Sequence, residues 1–153
     1  MARIMTTNDG VYLAKAMKTL LNKWPKKPVA EIFLEDLGKS TPSMMLQQLS
    51  AAEKKKEYIN GSYIGVWNFA VYIRINAEDT ASRIDATGAL QDLADWLQAR
   101  DENGEFANLP DLDDTKTAIK FDMTSTPSIS ARYDDGVEDY QAIMSLEYKA
   151  IRR

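Results

Sequence analysis

The sequence predicts an α+β domain: a mainly antiparallel β-sheet with two helices packed on one face. Three observations carry the prediction. Two segments place apolar residues at helical period, several others alternate apolar and polar residues, and turn signals stand at Asn60-Gly61 and Asp134-Asp135-Gly136. The 153 residues fit a single domain spanning 1–153, since domains most often run to about 100–150 residues. The element order reads α-β-β-β-α-β-β-β, with no repeat and no linker.

The first helix is predicted from Leu13, Met17, Leu20, Leu21 and Trp24, which form one apolar stripe. Thr6, Thr7, Asn8 and Asp9 are its candidate caps, and Pro25 and Pro28 stop it. Val29 to Leu34 reads as a short strand, and Ser43 to about Leu49 as a second after the break at Gly38–Pro42. Ala51 to Tyr58 has helical propensity, yet it runs into the Asn60-Gly61 hairpin signal and is read as an exposed charged arm. In the next strand Tyr63, Gly65, Trp67, Phe69, Val71, Ile73 and Ile75 share one face. Its other face carries Asn68 and Arg74 among apolar residues, as a central strand requires.

The second helix follows Asn76, with Glu78 and Asp79 at its start favouring the dipole. Ile84, Leu90, Leu93, Ala94 and Leu97 are assigned to its buried face, and it frays near Arg100. Asp101 to Thr115 reads as a loop. Ile119, Phe121 and Met123 alternate as a strand broken at Thr126-Pro127, and Ile129, Ala131 and Tyr133 resume the alternation. In the last strand Tyr140, Ala142, Met144, Leu146 and Tyr148 face in, while Asp139, Gln141, Ser145, Glu147 and Lys149 face out.

Composition limits the chemistry. The chain has no His and no Cys, which excludes thiolate nucleophiles, Cys-ligated metal centres and any triad with an imidazole base. Catalysis would have to rest on carboxylates, Lys, Tyr or an oxygen-bound cation. Nineteen basic and twenty-three acidic residues give a net charge of −4, the wrong sign for a dedicated duplex-DNA binder. No apolar run has the length of a signal peptide or a membrane span. The expected setting is a cytoplasm, with no membrane partner.

Individual motifs resolve to ordinary roles. Gly38-Lys39-Ser40 resembles the end of a P-loop, but Phe33 stands where its first Gly belongs and Pro42 follows. Asp111-Leu-Asp113-Asp114 and Asp101 to Glu105 lack the Gly and the final Glu of an EF-hand order, so solvated acidic loops are expected and no metal. Glu35-Asp36 and Asp134-Asp135 lie at turns, where Asp bonds its own backbone. No catalytic residue, cofactor or metal site is assigned. Asn60-Gly-Ser62 reads as a hairpin turn rather than a glycosylation site, and Trp67, Phe69, Tyr140 and Tyr148 as core rather than base-stacking residues.

The composite pattern says more than any motif. An aromatic strand after a turn, Tyr58-Ile-Asn-Gly-Ser-Tyr-Ile-Gly-Val-Trp-Asn-Phe-Ala-Val-Tyr-Ile-Arg74, precedes a helix containing Ala89-Leu-Gln-Asp-Leu-Ala-Asp-Trp-Leu97. The chain closes on Asp139-Tyr-Gln-Ala-Ile-Met-Ser-Leu-Glu-Tyr-Lys149. Over about residues 8–150 this resembles the minor capsid or tail-terminator proteins of long-tailed phages and prophages of Gram-positive bacteria. The resemblance implies a structural subunit of the virion, assembled in the host cytoplasm into a homo-oligomeric ring, usually a hexamer. Its implied partners are other copies of itself, the tail-tube protein and the head-connector or neck protein, with DNA passing the lumen non-specifically. It carries over no functional residue. The alternatives are another neck or tail part, such as a head-completion stopper or tube subunit, and a carboxylate-based hydrolase or small ligand-binding domain.

A closed ring needs two different complementary patches on each subunit. Lys54, Lys55 and Lys56 on the arm and Asp111, Asp113 and Asp114 in the acidic loop are the candidate subunit interface, basic arm against the next subunit's acidic loop. Against this stands the plain reading of two unrelated solvated segments.

Overall fold

The computed structural model describes residues 6–7, 9–35, 37, 41–77, 80–102 and 116–151. It is an α+β fold with a mainly antiparallel sheet and two helices. In chain order the elements are β1 (Thr6–Thr7), α1 (Gly10–Leu21), β2 (Ile32–Leu34), β3 (Ser43–Gln48), β4 (Ala52–Glu57), β5 (Tyr63–Asn76), α2 (Thr80–Glu102), β6 (Lys116–Arg132) and β7 (Val137–Ala150). The expected succession is kept. The charged arm is a strand in its own right, and Thr6 and Thr7, expected as caps, form a two-residue strand against it.

Strand β5 organises the sheet. One of its edges pairs along its whole length with β7, which pairs in turn with β6. Its other edge is shared: β4 takes the N-terminal part and β3 the C-terminal part. Among the described residues only β2 and β3 run parallel. The odd-numbered residues of β5 and the even-numbered residues of β7 form the core face, with Trp67, Phe69, Val71, Met144, Leu146 and Tyr148 fully buried.

Both helices lie on that face. Helix α1 buries Leu13, Met17 and Leu21. It comes close enough to β3 that a Cβ on Gly10 would stand 2.0 Å from Gln48 Oε1, so a larger residue there would have to displace the Gln48 amide that accepts the Trp67 N–H. The helix ends at Leu21 on Asn22, short of Trp24, which is nevertheless buried. Asn22 holds this corner: its side chain donates to the Ile32 carbonyl at 3.0 Å and accepts the Ile32 N–H at 2.7 Å.

Helix α2 corrects one sequence reading. Ala86, Leu90, Leu93, Ala94 and Leu97 are buried, whereas Ile84 is 63% exposed. Spacings of 4, 3, 1 and 3 from Ala86 define one stripe, and Ile84, two residues earlier, points away from it.

Strand β6 is the second correction. The segments on either side of Pro127 are one strand, not two. Register shifts occur between Ala118 and Lys120, Met123 and Ser125, Ser125 and Ser128, and Ile129 and Ala131. Thr126 and Pro127 fall inside one of these irregularities, on an edge strand, where a residue without an N–H is tolerated. The first shift also explains why Ile119 is exposed while Ala118 and Phe121 are buried.

The opposite face of the sheet, bearing Met45, Val66, Tyr72, Arg74, Ile143 and Glu147, has no helix on it among the described residues.

Candidate subunit interface

Strand β4 displays the three candidate lysines, and its pairing with β5 sorts them. Lys54 lies opposite Gly65 and Lys56 opposite Ile64, with a bulge between that turns Lys55 aside. Lys54 approaches Glu57 at 3.9 Å and the Tyr63 ring at 4.7 Å. Lys55 donates to Glu147 of β7 at 3.3 Å. Lys56 has the Tyr58 ring at 5.3 Å and no carboxylate among the described residues. Two of the three positive charges are therefore answered within the chain. Asp111, Asp113 and Asp114 lie outside the described residues, so the expected basic-to-acidic pairing has its basic half in view. Asp36, Glu78, Asp79 and the Gly38-Lys39-Ser40 turn also lie outside them.

The remaining sequence candidates are structural. Asn60 Oδ1 accepts the Ser62 N–H at 3.0 Å, and Gly61 takes φ 88°, which makes the expected hairpin turn. Asp135 Oδ1 accepts the Val137 N–H at 3.2 Å, beside Gly136 at φ 85° in the turn between β6 and β7. Glu35 accepts the Gln48 N–H at 2.8 Å. Trp67 and Phe69 stack with centroids 4.7 Å apart, and the Trp67 N–H donates to Gln48 at 3.0 Å. Trp96 is half-buried, with the Arg100 guanidinium over its ring at 5.3 Å. No acidic cluster fit to hold a metal ion occurs among the described residues.

Three polar clusters escaped the sequence reading. Asp9, at the start of α1, accepts hydrogen bonds from the Tyr63 and Tyr148 hydroxyls, the latter at 2.7 Å, with Lys116 Nζ 3.8 Å from its other oxygen. Asp139, expected on the solvent side, is buried because Arg74 donates to both its oxygens, at 2.8 and 3.0 Å, and the Tyr133 hydroxyl donates at 2.9 Å. Glu138 receives Arg83 from α2 at 3.0 and 3.2 Å, the Tyr140 hydroxyl at 2.8 Å and Arg132 at 3.1 Å.

Each cluster joins residues far apart in sequence that strand register or helix packing brings together. Arg74 and Asp139, for example, are paired neighbours 65 positions apart. The hydrogen bond to Asp139 raises the Arg74 pKa further above its ordinary value, and the bond to Glu138 does the same for Arg83. Burial raises the Tyr140 and Tyr72 hydroxyls. All of these shifts follow from fixed ion pairs and burial in or beside the sheet. A scan against protein-family models finds no match to the chain, and a search of curated proteins finds none.

Proposed function

We propose that this chain is a structural subunit of a phage tail: a ring-forming terminator that caps the tail tube and joins it to the head connector. The observation that carries the reading is the aromatic strand, helix and closing strand at 58–74, 89–97 and 139–149, whose likeness is to that family. The architecture supports it. Among the described residues helices cover one face of the sheet, which leaves the second face and the border strands β1, β2 and β6 for contacts with other subunits. The net charge of −4 suits a subunit that lets DNA pass rather than one that grips it. Its setting in this reading is the neck of the virion, reached after assembly in the host cytoplasm.

Solution mass measurement with negative-stain imaging tests the reading. A closed ring of several subunits with a central hole is expected, either alone or on addition of tube protein. Long tubes formed by the chain alone would assign it to the tube itself. A chain that stays monomeric even with tube protein would overturn the assembly reading.

A further inference from the structure

The two ends of β5 carry surfaces of opposite and complementary character. At the N-terminal end, the turn from β4 presents Tyr58 and Ile59, and Ile59 is 109% exposed, as open to water as a free side chain. Ile151, just past β7, borders the same shallow recess. Lys56 and Lys149 rest on the Tyr58 ring at 5.3 and 5.7 Å, and neither meets a carboxylate among the described residues. This end is an apolar knob with a basic rim.

At the C-terminal end a cleft of about 360 Å³ opens between α2 and the Pro28 and Pro42 segments, with Ile73, Ile75, Ala86 and Ala89 in its lining. Exposed Asp85 stands at its edge. The Asp134-Asp135 turn is tied alongside, since Ala77 N–H donates to the Gly136 carbonyl at 2.9 Å and cleft-lining Asn76 pairs with Val137. The arginines nearby are committed: Arg83 and Arg132 to Glu138, and Arg74 to Asp139. This end is an apolar cleft with an acidic rim. The 14 residues of β5 set the two ends about 45 Å apart at ~3.4 Å per residue.

The geometry points to a head-to-tail contact between two copies of this chain, in which Ile59 and Tyr58 of one copy enter the cleft of the next. Lys56 and Lys149 then face Asp85 and the Asp134-Asp135 turn. One chain holds both halves, and their charges oppose. Like-on-like contacts are disfavoured, because knob on knob sets Lys149 against Lys149 and cleft on cleft sets Asp85 against Asp85. A reciprocal two-fold, each knob in the other's cleft, would stop at a dimer, so wild-type species larger than a dimer distinguish the head-to-tail contact from it. A heterologous contact closes into a ring when its rotation allows. The inference thus deepens the ring reading and rests on it for biological purpose, but its surfaces are argued from the chain alone.

Sedimentation velocity on the full chain tests it, with Ile59→Asp on the knob and Ala89→Trp in the cleft. Each substitution should raise the dissociation constant of the wild-type oligomer at least about 30-fold, the equivalent of a 2 kcal/mol anchor residue. An equimolar mixture of the two variants should form a 1:1 dimer and nothing larger, because each retains the half that the other lost. Lys149→Glu should weaken association, and Asp85→Lys in the same chain should restore it. Ile59, Lys149 and Asp85 are exposed, so these substitutions spare the fold. If thermal melting shows Ala89→Trp unfolded, Asp85→Lys replaces it in the mixture.

Single variants that associate like the wild type, or a mixture that stays monomeric while the wild type associates, overturn the contact and leave the ring reading standing. Open wild-type chains that break in the same variants support the contact and overturn the closed ring. A wild type that is monomeric at millimolar concentration overturns the contact.

Discussion

Glu138 and Asp139 are adjacent, point to opposite faces of β7, and are both buried. Each is held by arginine from another element, Arg83 of α2 in one case and Arg74 of β5 in the other. The hydrogen bond from Arg83 holds the Glu138 carboxyl below its ordinary value of 4.5, with the Tyr140 hydroxyl helping and burial opposing. The unfolded chain restores the ordinary value. The stability this group contributes is therefore full above pH 4.5 and is lost as pH falls through the lowered folded value. Glu138→Gln should lower the melting temperature at neutral pH and flatten its decline below pH 4.5, measured by calorimetry across the acid range. A mutant whose acid decline matches that of the wild type would assign the acid sensitivity to other carboxylates. At this scale the sequence was least legible. The residue type announces a charge, but its partner depends on strand register, so Asp139 reads as solvent-facing until Arg74 is placed opposite it.

Elements were legible where one periodicity ran unbroken. Strands β5 and β7, 14 residues each, pair without a register shift, so most of their faces could be assigned from the sequence. Strand β6 could not be read as one element, because each bulge shifts the alternation by a residue or more and Pro127 mimics a terminator. Strand β4 has the composition of a helix, Ala-Glu-Lys-Lys-Lys-Glu, and becomes a strand because β1 and β5 pair with it; tertiary context overrides propensity. In α2 the short stripe was right and its first member wrong. Urea denaturation should separate the two positions: Leu90→Ala is expected to cost about 2–5 kcal/mol by leaving a cavity. Ile84→Ser should fall within ~0.5 kcal/mol of the wild type. Equal losses at both sites would reverse the face assigned here.

At the scale of the molecule, the fold class and the absence of imidazole and thiol chemistry were legible in the sequence, while the closure of the chain on itself was not. Asp9 and Tyr148 are 139 positions apart, and their contact with Tyr63 and Lys116 ties α1, β5, β6 and β7 together at one end of the sheet. Asp9 heads α1 without capping it by its side chain, because its carboxylate is used for this long-range closure instead. Asp9→Ala removes the acceptor for one buried and one half-buried hydroxyl and should cost about 3 kcal/mol, read as a lower urea midpoint with an unchanged slope. Asp9→Asn, which retains an acceptor oxygen, should recover part of that loss. Identical destabilisation by both substitutions would assign the effect to charge alone.

The irregular register of β6 bears on solubility. A 17-residue strand at the border of a sheet would ordinarily be a template on which further chains stack side by side without limit. Four shifts of register and a proline twist and interrupt its row of outward amides, so no straight partner strand can zip along it. The chain is thereby kept from lateral, fibre-like growth along this edge.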